Sequence, residues 1–418
     1  TLDPRIQLMR IAIIGTGVAG LVTAHLLQDR HDITVFEARE RIGGHVNTIE
    51  IEERSGRLRA VDTGFIVYNE TNYPLFTKLM SDLGVATQPS NMSFGVRSDA
   101  ARLEYSSASF TTLFAQRRNL FNPGYIRMLR DILRFNRDAA PAILNGAAAL
   151  TLGEYIETTD LSPRLAEHYL MPMGSALWSI PGGRVLEMPA EFFVRFFENH
   201  GMLTVNNQPE WRVIEGGSAR YVEALATPFR DRVRTSTPVR RVERHHAHVT
   251  VDGEAFDHVV FACHSDQALS ILADPNRAER EVLAALPFQE NDVVLHTDTS
   301  VLPRSKRAWA SWNYKVGADP EAPATVTYNM NKLQTLDADP TYCVTLNDTE
   351  SIDPETILYR TQLSHPMYTL EGMAAQKRHE EISGHGHTHY CGAYWGFGFH
   401  EDGVRSAATV AKRFGGAL

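Results

Sequence analysis

The run "IAIIGTGVAGLVTAHLL" constrains this chain more than any other. A β-branched segment, Ile11 to Ile14, leads into Gly15-x-Gly17-x-x-Gly20 and then a helical apolar pattern, which reads as strand, tight turn and helix. A second apolar run, Ile33 to Phe36, ends at Glu37, about 20 residues beyond the glycines, and completes a βαβ unit with an acidic residue in the ribose position. Glycine lets the backbone approach a pyrophosphate, and the helix N-terminus offers free N–H groups and a positive dipole end. The carboxylate accepts from ribose hydroxyls and disfavours a 2′-phosphate. Nucleotide binding is the expectation, against a glycine turn with no ligand.

At 418 residues the chain is long enough for two domains. A net charge of -9 argues against a nucleic-acid partner, because phosphate contacts need clustered excess Lys and Arg. Cys263, Cys343 and Cys391 are widely spaced and form no CxxC, so neither a disulfide framework nor a thiolate metal site is indicated and a cytoplasmic setting is expected. No apolar run approaches a membrane span, and "TLDPRIQL", residues 1–8, has no signal-peptide core and is read as an extension outside the fold.

From about residue 85 to 210 the pattern is irregular and mostly helical, with "FNPGYIRMLRDILRFNRDAAPAIL" and "PAEFFVRFFENHG" as amphipathic stretches. Strand patterns then return. A hairpin turns at Asp252-Gly253, a buried strand runs over Val259 to Ala262, and "VVLHTDTSVLP", "RAWASWNYKV" and "ATVTYNMNKL" suggest further strands. "HYCGAYWGFGFHEDGVRSAATVAKRFG" closes the chain with strand, turn and helix.

Taken in order, "IAIIGTGVAGL", "VFEARERIGGHVNT", "AVDTGFIVYN" and "GFGFHEDGVRSA" resemble the FAD-dependent amine oxidase superfamily, with its monoamine oxidases, phytoene desaturases and protoporphyrinogen oxidase. The resemblance implies an α/β fold: a Rossmann-like FAD-binding domain (9–84, 211–290 and 388–418) interleaved with an α+β substrate domain (85–210 and 291–387). It implies an FAD-binding set of Gly15, Gly17, Val18, Ala19, Gly20, Glu37, Ala38, Arg39, Arg41, Gly43, Gly44, His45, Thr63, Gly64, Phe65, Ile66, Val239, Ala262, Phe399, His400, Glu401 and Asp402. Gly43 and Gly44 then carry backbone past the pyrophosphate and ribityl chain, Val239 meets the adenine, and Phe399 stands at the isoalloxazine face. His400 and Glu401 contribute backbone N–H groups, and Asp402 reaches the ribityl or phosphate. The cysteine motif that attaches flavin in monoamine oxidases is absent near Phe399, so non-covalent FAD is expected. Phe399 also stands where those oxidases carry a tyrosine, which disfavours an amine.

Within the superfamily, "VDTGFIVYNETNYP", "FACHSDQAL", "ASWNY", "TYNMNKLQ" and "GFHEDG" are similar to a branch of FAD-binding proteins associated with cyclopropane-fatty-acid synthase-like methyltransferases. That likeness implies dehydrogenation of a lipid-like substrate, a methyl-branched fatty acyl chain, by hydride transfer to flavin N5. Oxygen, a quinone or a redox protein would reoxidise the flavin. An amine oxidase yielding hydrogen peroxide, and a flavoprotein using FAD for isomerisation, are the alternatives.

Three local features remain. His296 and Asn313, on strands expected to face the flavin, are the candidate proton acceptors beside Phe399, and Trp309, Trp312, Tyr314 and Tyr328 are core or pocket aromatics. "HGHTH" would place His385, His387 and His389 on one face if the segment is a strand, where zinc or copper could bind, but no carboxylate or cysteine joins them; a solvated strand or loop and no metal are expected. Segment 113–137 carries Arg117, Arg118, Arg127, Arg130, Arg134 and Arg137 against Asp131. That pattern suits either a surface helix or peripheral contact with the anionic inner face of a membrane.

Overall fold

The computed structural model describes residues 8–144, 150–204 and 209–418, so residues 1–7 of the expected extension lie outside it. Its first layer is a five-stranded sheet in the order Val233–Arg234, Asp32–Phe36, Arg10–Ile14, His258–Phe261 and Thr388–Tyr390, with every pairing parallel. Ile11, Ala12 and Ile13 are fully buried because both faces are covered, the Ile11 and Ile13 face by helices and the Ala12 face by the three-stranded sheet Val242–Arg244, Val249–Val251 and Glu254–Phe256. The helices Val18–Leu27 and His400–Lys412 pack side by side at the glycine pivot Gly403, where a Cβ would lie 2.5 Å from Val18 Cγ1.

The second layer is a mixed sheet of seven strands: Ile357–Pro366, Phe288–His296, Cys343–Leu346, Thr325–Asn329, Trp312–Val316, Phe94–Ser98 and Leu103–Ser106. All its pairings are antiparallel except Trp312–Val316 with Phe94–Ser98. Those last two strands of the order fall where the sequence reads as irregular and mostly helical. Phe94–Ser98 is buried along its length, so it shows no alternation; it pairs with Leu103–Ser106 in a local hairpin and, in parallel, with Trp312–Val316 more than 200 positions away. Helices Ala190–Asn199, Met171–Trp178 and Pro123–Arg134 pack in the same core as this sheet.

The hairpin turns at Asp252 and Gly253, both at positive φ (47° and 87°), as a two-residue loop demands. The "HGHTH" segment is a loop up to the strand that begins at Thr388; His387 sits at φ 62°, so the three histidines do not share one strand face, and His389 is buried, against the expectation of a solvated segment. Among the described residues no group of three or more His, Cys, Asp or Glu converges as a metal site, and no helix is long and apolar enough to cross a membrane.

Candidate active site: two clefts and a histidine junction

The first cleft, about 430 Å³, lies over the carboxyl ends of the parallel strands. Its floor is backbone. Gly15 has φ 106°, and a Cβ there would stand 2.8 Å from the Ala262 carbonyl oxygen. Gly43 and Gly44 have φ 112° and 59°; the Gly43 N–H donates to Thr16 O at 3.0 Å, and a Cβ on Gly44 would stand 2.8 Å from Gly17 Cα. The second glycine turn is therefore stacked on the first. A Cβ on Gly17, by contrast, would meet nothing within 4 Å. No side chain caps the helix that starts at Val18, so its first N–H groups are left for a ligand. Glu37 closes one end, its carboxylate accepting from the Thr16 N–H (3.1 Å), the Thr16 hydroxyl and the Arg39 N–H (2.9 Å).

The second cleft, about 310 Å³, shares His45, His365, Gly398 and His400 with the first, so the two are continuous. Phe65, Phe94, Tyr169, Phe196, Trp211, Trp312, Tyr328 and Phe399 line it, together with Met92, Met173 and Leu177. No Asp, Glu, Lys or Arg is among its lining residues, and Ser107 alone of them is exposed, which places the opening there. Its four histidines are held neutral by burial: His45 and His200 are pushed down to about 4, His365 and His400 to about 3. His400 stacks on Phe65 at 3.5 Å between ring centres and meets Tyr221 Oη at 2.9 Å.

Gly15, Gly17, Val18, Ala19, Glu37, Ala38, Arg39, Gly43, Gly44, Val239 and Ala262 all line the first cleft; Gly64, Phe65, Ile66 and Phe399 line the second; His45 and His400 line both. The remaining expected residues act behind the walls. Gly20 lies inside the turn, where a Cβ would collide with Gly15 O at 2.0 Å, and Thr63 bonds Asn47. Arg41 donates from Nη1 to Val46 O at 2.7 Å and keeps Nη2 buried without a partner. Glu401 accepts from the N–H groups of Leu75 and Phe76, so its carboxylate anchors a neighbouring helix. Asp402 accepts from the N–H groups of Phe397 and Phe399, and burial raises it to about 6.

His296 and Asn313 reach neither cleft. The His296 ring is fully buried between Thr345 Oγ1 (2.7 Å) and the Asp298 N–H (3.2 Å), and the Asn313 amide is spent on Ala310 and Thr327. Trp312 and Tyr328 do line the second cleft, whereas Trp309 and Tyr314 do not. Sequence reasoning passed over His200, His264 and His365. No motif marks them; His365 comes from the strand Ile357–Pro366, which the strand pattern also failed to show.

Over residues 18–329 the chain matches the family described as flavin containing amine oxidoreductase. It belongs to that family. AofH of Mycobacterium tuberculosis, assigned as a flavin-containing monoamine oxidase, is 25% identical over 337 residues, covering 77% of this chain and 70% of that one. Among solved structures, a CLA-producing fatty acid isomerase from P. acnes superposes with a TM-score of 0.70 at 14% identity, covering 99% and 100% of the two chains. Cyclohexylamine oxidase from Brevibacterium oxydans gives 0.65 at 16%, covering 98% and 99%. These two likenesses establish the amine-oxidase-like fold.

Family membership makes the protein an FAD-dependent oxidoreductase, and the residues present fit the cofactor. The space above Gly17 and the uncapped helix end are what a pyrophosphate-containing group would satisfy. Non-covalent binding is consistent with the family.

Proposed function

We propose that the protein dehydrogenates an uncharged, lipid-like substrate, in particular a methyl-branched fatty acyl chain. FAD would be held by the glycine turns and Glu37, and the acyl chain by the second cleft. The FAD-binding part would comprise 9–84, 211–290 and 388–418, with 85–210 and 291–387 shaping the substrate side. The observation that carries the reading is the chemistry of the second cleft: aromatic and sulfur-containing walls, four neutral histidines and no charged side chain. A cation would lose its hydration there with no carboxylate to replace it, whereas an alkyl chain gains about 0.8 kcal/mol per buried methylene.

FAD, when bound, supplies a two-electron acceptor. The chain's own residues bind and orient the substrate and exclude water: Phe65, Phe196 and Phe399 supply apolar contact where the clefts approach each other, and the histidines supply the polar contacts. Oxygen, a quinone or a redox protein would take the electrons onward.

The surface around the opening supports a lipid source. Phe110 (71% exposed), Phe121 (89%), Leu133 (55%) and Leu120 stand among the exposed Arg117, Arg118, Arg127, Arg130, Arg134 and Arg137, and Ser107 lies three residues before Phe110. Apolar side chains ringed by arginine suit peripheral contact with an anionic bilayer, from which an acyl chain would enter.

The test is anaerobic mixing of the FAD-loaded protein with methyl-branched fatty acids and, separately, with a panel of amines. Loss of the oxidised-flavin absorbance with the acyl chains and not with the amines is expected. Bleaching by amines alone would establish the amine oxidase reading instead.

A further inference from the structure

We propose that His365 is a fixed hydrogen-bond donor, and His45 a bare acceptor, at the junction of the two clefts, and that two buried asparagines behind the wall set this polarity. Asn347 Oδ1 accepts from the Asp292 N–H at 2.9 Å, so the other end of that amide is Nδ2, which donates to Ala324 O at 3.0 Å and Asn291 Oδ1 at 2.7 Å. Asn291 must then present its own Nδ2 to Gln289 O (3.2 Å) and His365 Nδ1 (3.0 Å). A ring nitrogen facing an N–H donor carries no proton, so the neutral imidazole has its proton on Nε2.

Neither amide can turn over, because each is tied to backbone groups of fixed polarity. Protonating Nδ1 would set two donors against each other; this opposes the cationic form in addition to burial and the nearby His45. Nε2–H has no partner among the described residues, and His365 lines both clefts. It is left to donate to whatever occupies the junction.

His45 is set the opposite way. Its Nε2 lies 2.9 Å from Ser364 O, a group that only accepts, so Nε2 carries the proton and Nδ1 is bare. The two rings meet edge-on with centres 5.2 Å apart, and Ser364 and His365 are consecutive, so one strand positions both. His264, Arg39 and Arg41 are the other titratable groups acting on His45, His45 acts in turn on His400, and none of the four supplies a negative charge.

The ligand chemistry is an acceptor of the carbonyl or imine type facing His365. Either the flavin ring or the polar end of a fatty acid carries such an atom. The inference rests on the FAD site and not on the lipid reading. Asn291 and Asn347 are positioning residues; they touch neither cleft.

Two measurements test it. In the apoprotein, ¹⁵N correlation of the imidazole rings should show His365 wholly as the Nε2–H form, and Asn291→Ala should populate the Nδ1–H form. A wild-type ring protonated on Nδ1, or exchanging between forms, would overturn the proposal whatever becomes of Asn291→Ala. In the second, FAD and fatty acid affinities are compared in His365→Phe, which has no donor, and His365→Gln, which keeps one. His365→Phe should weaken one of them about 5- to 10-fold, as loss of one net hydrogen bond does, while His365→Gln stays within about 2-fold. Weakened FAD binding identifies the flavin as the acceptor, and weakened fatty acid binding to the FAD-loaded protein identifies the substrate. Unchanged affinity for both would end the proposed role and leave the FAD site intact.

Discussion

In the first cleft the walls that matter are backbone: Gly15, Gly43 and Gly44 bring main chain close to main chain, and a single added methyl group meets a carbonyl oxygen or a Cα. In the second cleft the walls are side chains drawn from segments as distant as Ile66, Tyr169, Trp211 and Trp312. A cleft made of backbone tolerates almost no substitution at its turns and recognises one shape. A cleft made of aromatic and methionine side chains repacks around ligands of related shape. The same fold can therefore hold one cofactor rigidly while its substrate varies among relatives.

The comparison breaks first at the glycines. Gly44→Val forces a branched side chain to φ 59° and sets a Cβ 2.8 Å from Gly17 Cα, which should cost about 3 kcal/mol or more and remove most folded protein, read by thermal melting. Gly17→Ala separates folding from binding. Its Cβ has free space and its φ of -63° suits alanine, so the melting temperature should hold while FAD affinity falls at least about 10-fold. Equal FAD affinity in that variant would mean the pyrophosphate does not pass above Gly17.

The second cleft should respond in the opposite sense. Ala176→Phe fills it from the helix Met171–Trp178 at about 1–3 kcal/mol of stability, and should abolish reduction by acyl chains while FAD still binds. Loss of FAD from that variant would show that the clefts are not functionally separate. On the exposed face of the helix Pro123–Arg134, replacing Arg127, Arg130 and Arg134 with Glu should lower co-flotation with anionic liposomes by about 100-fold, on about 1 kcal/mol per basic residue lost. Unchanged flotation would assign the segment to an ordinary surface helix.

The mildest effect is on acid stability. Burial holds His45, His200, His264, His365 and His400 at about 3 to 4, against 6.5 in the unfolded chain. Between about pH 6.5 and 4 the unfolded chain binds more protons, so stability falls as the pH falls through that window. Asp62 and Asp402, raised to about 6 by burial, act with the reverse sign: between about pH 4 and 6 the folded state binds more protons and loses stability as the pH rises. The histidines outnumber them, so the melting temperature should drop on acidification, and His200→Gln should make the drop shallower. A melting temperature that rises from pH 6.5 to 4 would contradict the neutral junction.

The first cleft was legible in the sequence for the reason that makes it rigid. Its constraints are local, so Gly15, Gly17 and Glu37 announce themselves by spacing, and Gly43 and Gly44 through the resemblance that their motif carries. The second cleft was largely not. His365 reaches the junction because Ile357–Pro366 pairs with Phe288–His296, and His200 because a helix ends beside Trp211. Neither relation leaves a trace at fixed spacing. His296 and Asn313 misled for the converse reason: their strands are in the expected sheet, but both side chains are consumed within it. The strand Phe94–Ser98 was hidden because burial along its whole length leaves no alternation, and the turn that joins it to Leu103–Ser106 carries no glycine.

The central claim is that an uncharged chain in the second cleft yields two hydrogens to the cofactor in the first. A single-turnover reaction without oxygen tests it most directly, with flavin absorbance and product mass followed together. One flavin reduced for each methyl-branched acyl chain that becomes lighter by two hydrogens is the predicted result. A chain returned at unchanged mass, with the flavin still oxidised, would contradict it.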